Sequence, residues 1–376
     1  MITTIPPWLA AIFVGVTFIV TVLFKNLRSP NNGRESLKPV EANEKAEAGS
    51  LNLKPEPTVA TSVVAPPFDF RKEPPRAYRP FKTRTHVAMG IEKVPQSDWI
   101  QMDWGYLDRL NERVPVMEEN PQWTIGVNEI SAPAILELFK EVMIDHVPKH
   151  FPSMFRLDGD ILTNLITQQT FDVERASKDP HLALRTLCRN VEEDFYLMCP
   201  DGQGDWRLQG YISCFPGGFD GPSRVGMSFR DIHLPVPHYE ERIANGVDKF
   251  VRRMKVDGQL VQRFNWSLQC DGKDLWRLDG NNFYPEKGHT LPDEAKRIDI
   301  DQSWLRYERQ TLKVLPETGA IVFCVRLYMT SLRDVVREGN GIELADAIDS
   351  MPEKLGLYKM RPFWEEDVMA FLRGTV

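Results

Sequence analysis

Two predicted strands of this chain, LVQRFNWSLQ and LRYERQTL, carry polar side chains at alternate positions. Because successive strand residues point to opposite faces, Arg263 and Asn265 share one face of the first strand. For the same reason Arg306, Glu308 and Gln310 share one face of the second strand. Such a face is either exposed to solvent or the wall of a polar pocket, and the alternation alone favours the solvated face.

His233 lies in the segment DIHLPVPHYE, where Pro235 and Pro237 restrict the backbone that follows it. An imidazole at this point is a candidate ligand for a metal or a haem iron. The sequence also allows His238 to be an N-terminal helix residue, and the other five histidines show no pairing. For a single histidine a hydrogen-bonded structural role is more common, and the sequence pattern alone favours that role.

Two D-x-D triplets, Asp158-Gly-Asp160 and Asp299-Ile-Asp301, are of the kind with which a glycosyltransferase holds a metal-bound nucleotide sugar. In a chain with 53 acidic residues such triplets also arise by chance, in turns and helix caps. The sequence contains no G-x-G-x-x-G, Walker loop, G-x-S-x-G or H-E-x-x-H motif. It therefore gives no support to dinucleotide, phosphate-loop, serine-hydrolase or zincin chemistry.

The composition is that of a globular protein, with 42% hydrophobic and 26% charged residues and a formal net charge of −7. The negative balance, together with the lack of a basic stripe interleaved with aromatic residues, argues against a nucleic-acid partner. The five cysteines are widely spaced and form no C-x-x-C pair. This argues against a disulfide framework, a zinc site or a plant-type iron–sulfur cluster in this chain.

The first 24 residues contain no charged side chain and are long and apolar enough to cross a bilayer. Basic residues follow this segment, so the positive-inside rule predicts a single-pass membrane protein with its folded domain in the cytosol, by default at the endoplasmic reticulum. A cleaved signal peptide, the alternative, carries its positive charges before the apolar stretch. The sequence thus predicts a transmembrane anchor over 1–24, a disordered proline-rich linker over 25–80 and a folded domain over 81–376.

Periodicity within the folded domain predicts an α+β fold with a mostly antiparallel sheet and flanking helices. Apolar spacing predicts helices over 131–147, 183–198 and 239–256. Strands are predicted over 206–215 and 260–269. Near the end of the chain WLRYERQTLKVL and GAIVFCVRLYM flank Pro-Glu-Thr-Gly, which predicts a β-hairpin.

Six blocks of the sequence occur in a specific order: MGIEKVPQSDWIQMDWGYLDRLNER, NVEEDFYLM, a strand ending in SCF, IHLPVPHYEERI, VQRFNWSL and RYERQTLKVLPETGAIVFCVRLYM. In this order they resemble the haem-dependent oxidative N-demethylase family, whose fungal-type members are called HRQ family proteins. The resemblance runs from about residue 80 to 375. It implies a PAS-like domain in which a five-stranded antiparallel sheet and helices enclose haem b, and oxidation of a small secondary amine with oxygen.

The resemblance also implies a protein partner, because electrons in this family come from NADPH through a separate reductase that carries FMN and a 2Fe–2S cluster. A membrane location would suit a more hydrophobic amine or a membrane-bound reductase. The chain departs from the family pattern in its N-terminal segment and linker. It also has the loop PGGFDGPSRVGMSF where an SRW-like stretch is expected, which leaves the substrate open.

The family motif IHxPVP falls on Ile232 to Pro237, so the resemblance implies that His233 is the proximal ligand of the haem iron. Polar residues of the later blocks are the other candidates: Glu308, Arg306 and Asn265 as catalytic residues, and Arg263, Arg326 and Gln310 as haem-contacting residues. Glu308 would accept the N–H of the amine. An arginine would pair with the haem propionates or polarise oxygen.

Three other functions stay open from the sequence. A PAS-like haem domain can be a gas or redox sensor that binds without turnover. A diverged family member can act through protein contacts after losing haem. A membrane-anchored glycosyltransferase would use Asp158 and Asp160, but it predicts a lumenal domain, against the charges that flank the first 24 residues.

Overall fold

The computed structural model of the chain describes residues 68–81, 89–254, 256, 259–285, 288–290 and 297–375. The predicted anchor and most of the predicted linker lie outside these residues. At the end of the predicted linker, Phe70 is buried and its ring meets that of Tyr106 edge to face at 5.7 Å. The division of the chain into three segments otherwise stays a prediction.

The strands, numbered in chain order, are β1 (Glu92–Val94), β2 (Ile125–Gly126), β3 (Phe155–Asp158), β4 (Ile161–Asn164), β5 (Gln169–Asp172), β6 (Asp194–Pro200), β7 (Trp206–Ile212), β8 (Leu260–Gln269), β9 (Trp304–Val314) and β10 (Ile321–Ser331).

The helices are α1 (Tyr106–Glu119), α2 (Pro121–Thr124), α3 (Ala132–Phe139), α4 (Val147–His150), α5 (Val173–Ala176), α6 (Pro180–Cys188), α7 (Gly221–Arg224), α8 (Phe229–His233), α9 (Tyr239–Arg242), α10 (Ala244–Val251), α11 (Leu332–Arg337), α12 (Gly341–Asp349), α13 (Glu353–Tyr358) and α14 (Arg361–Leu372). A π-helical segment, Lys140–His146, joins α3 to α4. Single 3-10 turns lie at Phe70–Lys72, Gln96–Asp98 and Ile300–Gln302.

The main sheet has the strand order β1-β8-β9-β10-β6-β7-β2, and all neighbouring strands are antiparallel. A second sheet has the order β3-β4-β5. The prediction of an α+β fold with antiparallel sheets is therefore confirmed. The main sheet has seven strands in place of the five that the resemblance implied, because the short strands β1 and β2 extend its two edges.

The β9–β10 hairpin is present where the sequence predicts it. Its register pairs Val314 with Ile321. In the turn between the strands, the carboxylate of Glu137 accepts hydrogen bonds from the backbone N–H groups of Glu317 (2.6 Å) and Thr318 (2.9 Å). These bonds fix the turn on helix α3. This register determines which side chains of the two strands lie on the same face of the sheet.

The single helix predicted over 183–198 is wrong. Helix α6 ends at Cys188, and strand β6 begins at Asp194. Arg113, which is fully buried, donates to the carbonyl oxygens of Glu192 (2.6 Å) and Glu193 (3.0 Å) and so holds the backbone out of a helix. Strand β6 is buried on both faces, and a continuous run of buried residues does not distinguish a strand from a helix.

Two other predicted helices are each divided into shorter segments. The helix predicted over 239–256 is interrupted at Ile243, whose φ of −126° separates α9 from α10. The helix predicted over 131–147 becomes π-helical after Phe139 and continues through Pro148 as α4. Proline is tolerated there because it occupies the first turn of α4, where its missing N–H is not needed.

The fold prediction is corrected with respect to the membrane. In the part of the chain that the structure describes, no helix is both long and apolar enough to cross a bilayer. The single-pass topology, the membrane as a partner and the localisation at the endoplasmic reticulum are therefore not supported. The predicted helix itself, 1–24, lies outside the described residues.

The two faces of the main sheet are packed differently. We call the face that carries Val322 and Cys324 of β10 the closed face, since both residues lie in the largest apolar core cluster. We call the face that carries Phe323 and Val325 the open face. Both of these side chains pack against a smaller cluster that includes Phe229 of α8 and residues of α10. The sheet thus separates a filled core from a second layer of short helices.

A network of buried charges on the closed face centres on Arg326. Arg326 is 1% exposed and contacts the carboxylates of Asp103 (2.6 Å), Glu192 (2.8 Å) and Glu193 (3.3 Å). Burial still raises the pKa of Glu192 to about 7, although Arg326 lowers it. Strand β10 is therefore tied to the segment before β6 and to the loop before α1 by one guanidinium group.

Substituting Arg326→Met should destabilise the protein by about 3 to 5 kcal/mol, because it leaves three carboxylates buried without their cation. Urea unfolding at pH 7 measures this loss. Arg373→Met is the matched control, since Arg373 pairs with Asp349 on the exposed surface and should cost less than about 1 kcal/mol. Equal losses in the two variants would contradict the assignment of Arg326 as a structural residue.

Acidic pH should weaken the fold through His146, which lies at the end of the π-helical segment. Burial lowers the pKa of His146 from 6.5 to about 3. The unfolded chain therefore binds this proton more readily, so the free energy of unfolding should fall as the pH decreases from about 6.5. Urea unfolding at pH 7.5 and pH 5 should show a smaller difference for His146→Gln than for His181→Gln, in which an exposed histidine is replaced.

Candidate functional site

Strands β8 and β9 bring four of the predicted site residues together on the open face. The register places Arg263 opposite Gln310 and Asn265 opposite Glu308. Arg263 donates through Nη1 to Oε1 of Gln310, and Gln310 donates through Nε2 to Oε2 of Glu308 at 2.8 Å. The amide of Gln310 therefore links the guanidinium group to the carboxylate in one polar strip.

This polar strip lies inside the domain. Gln310 is 6% exposed, and the side chains of Arg263, Asn265 and Glu308 are half-buried. The prediction that this face is solvated is wrong, because the short helices after β7 pack over it. The alternating polar residues form an interior wall.

The open face is covered less completely than the closed face. Strand β10 runs through the middle of the sheet, and on its closed face Val322 and Cys324 are at most 2% exposed. On its open face Phe323 and Val325 are only half-buried. On the same face Ile321 and Leu327 are buried, so we infer an opening of the open face at Phe323 and Val325.

His233 is held in one orientation at the end of α8. The helix begins with a capping box, in which Ser228 and Asp231 bond each other's backbone N–H groups. The imidazole stacks on the ring of Tyr239 at 5.1 Å with an interplanar angle of 16°. Its Nδ1 lies 2.7 Å from the carbonyl oxygen of Phe229. Since a carbonyl only accepts, Nδ1 carries the proton and Nε2 presents a lone pair.

The imidazole of His233 is in its neutral form at physiological pH. Burial, together with the nearby cations of Arg263 and Arg224, lowers its pKa to about 4. Arg224, at the end of α7, donates to the carbonyl oxygen of Ile232 at 2.7 Å. Neutral imidazole is the form that ligates a metal, and these two cations link His233 electrostatically to the polar strip.

Four basic side chains around this opening have no carboxylate within 4.0 Å among the residues that the structure describes: Arg224, Arg263, Arg306 and Lys359. Burial lowers the pKa of Arg263, lowers that of Arg306 to about 10 and lowers that of Lys359 to about 8. The Nε atoms of Arg224 and Arg306 are buried without a hydrogen-bond partner. We call these four residues the cation cluster.

Buried arginines elsewhere in the domain are neutralised. Arg113 lies 3.0 Å from Asp194, and Arg309 lies 3.1 Å from Asp98. Arg326 has three carboxylate partners. A buried cation without an anion is strongly unfavourable. The cation cluster therefore fits a bound group that carries negative charge.

Arg306 differs from the rest of the cation cluster in its contacts. Its Nη2 donates to the carbonyl oxygen of Phe215 at 2.9 Å, in the loop that follows β7. A Cβ at Gly217 would lie 3.1 Å from the same nitrogen, and a Cβ at Gly218 would lie 2.6 Å from the Cα of Gly280. Arg306 thus fixes a loop whose glycines allow two backbones to touch at the edge of the opening.

Arg326 is not brought to this site. The register pairs it with Arg309, so its side chain lies on the closed face, opposite the polar strip. Its network with three carboxylates makes it a structural residue. Six of the seven predicted site residues therefore lie on the open side of the sheet, counting His233 on α8, and Arg326 lies on the other.

Both D-x-D triplets have local structural roles. Asp158 and Asp160 flank Gly159, whose φ is +59°, in the tight turn between β3 and β4. Asp299 caps a 3-10 turn, and Asp301 pairs with Arg333. Within the described residues, no group of three or more His, Cys, Asp or Glu side chains could hold a metal ion.

Sequence reasoning missed Arg224 and Lys359. Lys359 donates through Nζ to the carbonyl oxygen of Trp266 and to Oδ1 of Asn265 at 3.5 Å. It follows α13, more than ninety residues after the strand that it contacts. The sequence gives no signal for it, since a lysine between two helices ordinarily faces solvent. Arg224 lies in the loop that departs from the family pattern.

The open face lies within the part of the chain that matches a known protein family. A family model described as haem-dependent oxidative N-demethylase, alpha subunit-like, matches residues 90–369, which include every residue of the polar strip and the cation cluster. The family name supports a haem-dependent, oxidative N-demethylase-like function and haem as the cofactor. The chain belongs to the haem-dependent oxidative N-demethylase, alpha subunit-like, family.

Proposed function

We propose that this protein is a haem-dependent oxidoreductase that removes a methyl group from a secondary amine. The observation that carries the proposal is the cation cluster, of which Arg224 and Arg263 act on His233, inside a domain whose other buried arginines are paired. The half-buried Phe323 and Val325 give the same opening an apolar wall. Haem, a flat apolar macrocycle that carries two carboxylates and binds a metal, suits these surroundings.

The residues present fit haem b in two respects. Nε2 of His233 carries a lone pair, because Nδ1 donates to the carbonyl of Phe229. Basic side chains without carboxylate partners match the two propionates, and we propose Arg224 and Arg263 for this role because both act electrostatically on His233. Haem, when bound, supplies the activation of oxygen that side chains lack.

The side chains of the polar strip would bind the amine. Glu308 accepts a hydrogen bond from Gln310, which in turn accepts one from Arg263. This chain orients the carboxylate of Glu308 without neutralising it by direct contact. We propose that Glu308 accepts the N–H of the substrate ammonium, and that Asn265, opposite Glu308 in the register, contributes a second polar contact.

The proposed reaction balances as follows. A secondary amine R–NH–CH₃, one O₂, two electrons and two protons give the primary amine R–NH₂, formaldehyde and water. The C–N bond to the methyl group is broken, and the methyl carbon is oxidised. The electrons require a partner, and we propose an NADPH-dependent reductase with FMN and a 2Fe–2S cluster on a separate chain.

Haem binding is tested with the full-length chain expressed with a haem precursor. We expect a Soret band in the wild type and its loss or a marked shift in His233→Ala, because the Nε2 ligand is removed. His181→Ala, at an exposed histidine, should keep the wild-type spectrum. A folded but colourless wild type would refute the haem proposal.

Amine oxidation is tested with Glu308→Gln. We expect haem to be retained and formaldehyde release from secondary amines, in the presence of NADPH and a reductase, to fall by about 100-fold or more, because the neutral amide no longer attracts an ammonium group. Glu317→Gln, at an exposed carboxylate of the β9–β10 turn, should behave as the wild type. Spectral changes with oxygen or carbon monoxide but no formaldehyde would favour the haem-based sensor.

A further inference from the structure

We propose that the substrate carries a carboxylate as well as a secondary amine, as an N-methylated amino acid does, and that Lys359 binds this carboxylate while Glu308 binds the ammonium group. This inference rests on the proposed function and specifies its substrate class. Lys359 would then be a specificity-determining residue of the same site.

Lys359 and Glu308 form a pair of opposite charges that do not touch. They are more than 4.0 Å apart, since they form no ion pair. The carboxylate of Glu308 nevertheless acts on the ammonium of Lys359, whose pKa it raises against the effect of burial. Asn265 lies between them, opposite Glu308 in the register and 3.5 Å from Nζ of Lys359. An anion and a cation held apart on either side of a neutral amide are complementary to a zwitterion.

The ammonium of Lys359 is positioned but not neutralised. It donates to the carbonyl oxygen of Trp266 and to the amide oxygen of Asn265, both of which are uncharged. An ammonium group has three donors, and the third makes no hydrogen bond to the residues that the structure describes, although the Trp266 ring centroid lies 5.6 Å from Nζ. A carboxylate of the ligand would accept this third hydrogen bond and would compensate the buried charge.

The charge of the whole site supports the same conclusion. The cation cluster has four positive groups, against the single carboxylate of Glu308 on the polar strip. Two haem propionates would leave the surroundings of Glu308 positive. A simple alkylammonium ion would therefore enter a field that repels it, whereas a zwitterion brings its own negative charge. The site thus favours an amine that carries an acid group.

The competing assignment is that Lys359 pairs with a haem propionate. The two assignments predict different effects of Lys359→Gln on haem content. A residue that binds the substrate carboxylate can be neutralised without loss of haem, whereas a propionate partner contributes to haem retention. Lys354 provides the matched control, since it is an exposed lysine on α13, five residues before Lys359.

The experiment is isothermal titration calorimetry of the ferric, haem-loaded, full-length protein with N-methylglycine and with N-methylglycine amide. The two ligands share the secondary amine, and only the first carries a carboxylate. We expect the wild type to bind N-methylglycine about ten- to a hundredfold more tightly, the range of a charge-assisted hydrogen bond. Lys359→Gln should abolish this preference with unchanged haem content, Lys359→Arg should retain part of it, and Lys354→Gln should leave it intact.

Equal affinities of the wild type for the two ligands would overturn the inference, as would a preference that survives in Lys359→Gln. Loss of haem from Lys359→Gln, with the band retained in Lys354→Gln, would assign Lys359 to a propionate instead. If Lys359→Gln does not fold, the wild-type comparison of the two ligands and Lys359→Arg still decide the question. A wild type that binds no haem would refute the proposed function itself, which is a different result from a haem protein without the carboxylate preference.

Discussion

The requirement that buried positive charge be neutralised organises both faces of the main sheet. On the closed face, Arg326 draws three carboxylates into one network and joins strand β10 to segments that lie before β6 and α1. On the open face, the guanidinium groups of Arg224 and Arg263 have neutral hydrogen-bond partners only, among the described residues. The first arrangement is complete within the protein, and the second requires a ligand.

The short elements around the opening depend on local hydrogen bonds, because they are too short to be stable alone. Helix α8 has five residues and is defined by the capping box of Ser228 and Asp231. At its other end Arg224 binds the carbonyl oxygen of Ile232. These contacts orient His233 before any ligand binds. The polypeptide alone therefore determines the direction of the Nε2 lone pair.

The sequence predicts the strands of the site well, because period-two alternation and the turn residues Pro-Glu-Thr-Gly are local signals. It therefore identifies the polar strip of Arg263, Asn265, Glu308 and Gln310 as one face. It does not show which layer covers that face, since burial depends on distant helices, and so alternation alone wrongly favours a solvated face.

Other features could not be read from local patterns. The helix predicted over 183–198 fails because a strand buried on both faces also has a continuous apolar pattern, and its extended form depends on Arg113, some eighty residues earlier. The sequence block groups Arg326 with the site, although its pairing with Arg309 places its side chain on the closed face. No local sequence pattern identifies Lys359 as a site residue, because its position depends on how the C-terminal helices pack against β8.

The contact between Gly218 and Gly280 limits how this family member can diversify. Each residue has a positive φ, and a Cβ on either one would lie within 2.6 Å of the Cα of the other. Point substitution at these positions cannot reshape the edge of the opening without separating the two loops. Evolution of a new substrate range in this lineage must therefore proceed through loop length or through neighbouring side chains, while the glycine pair stays constant.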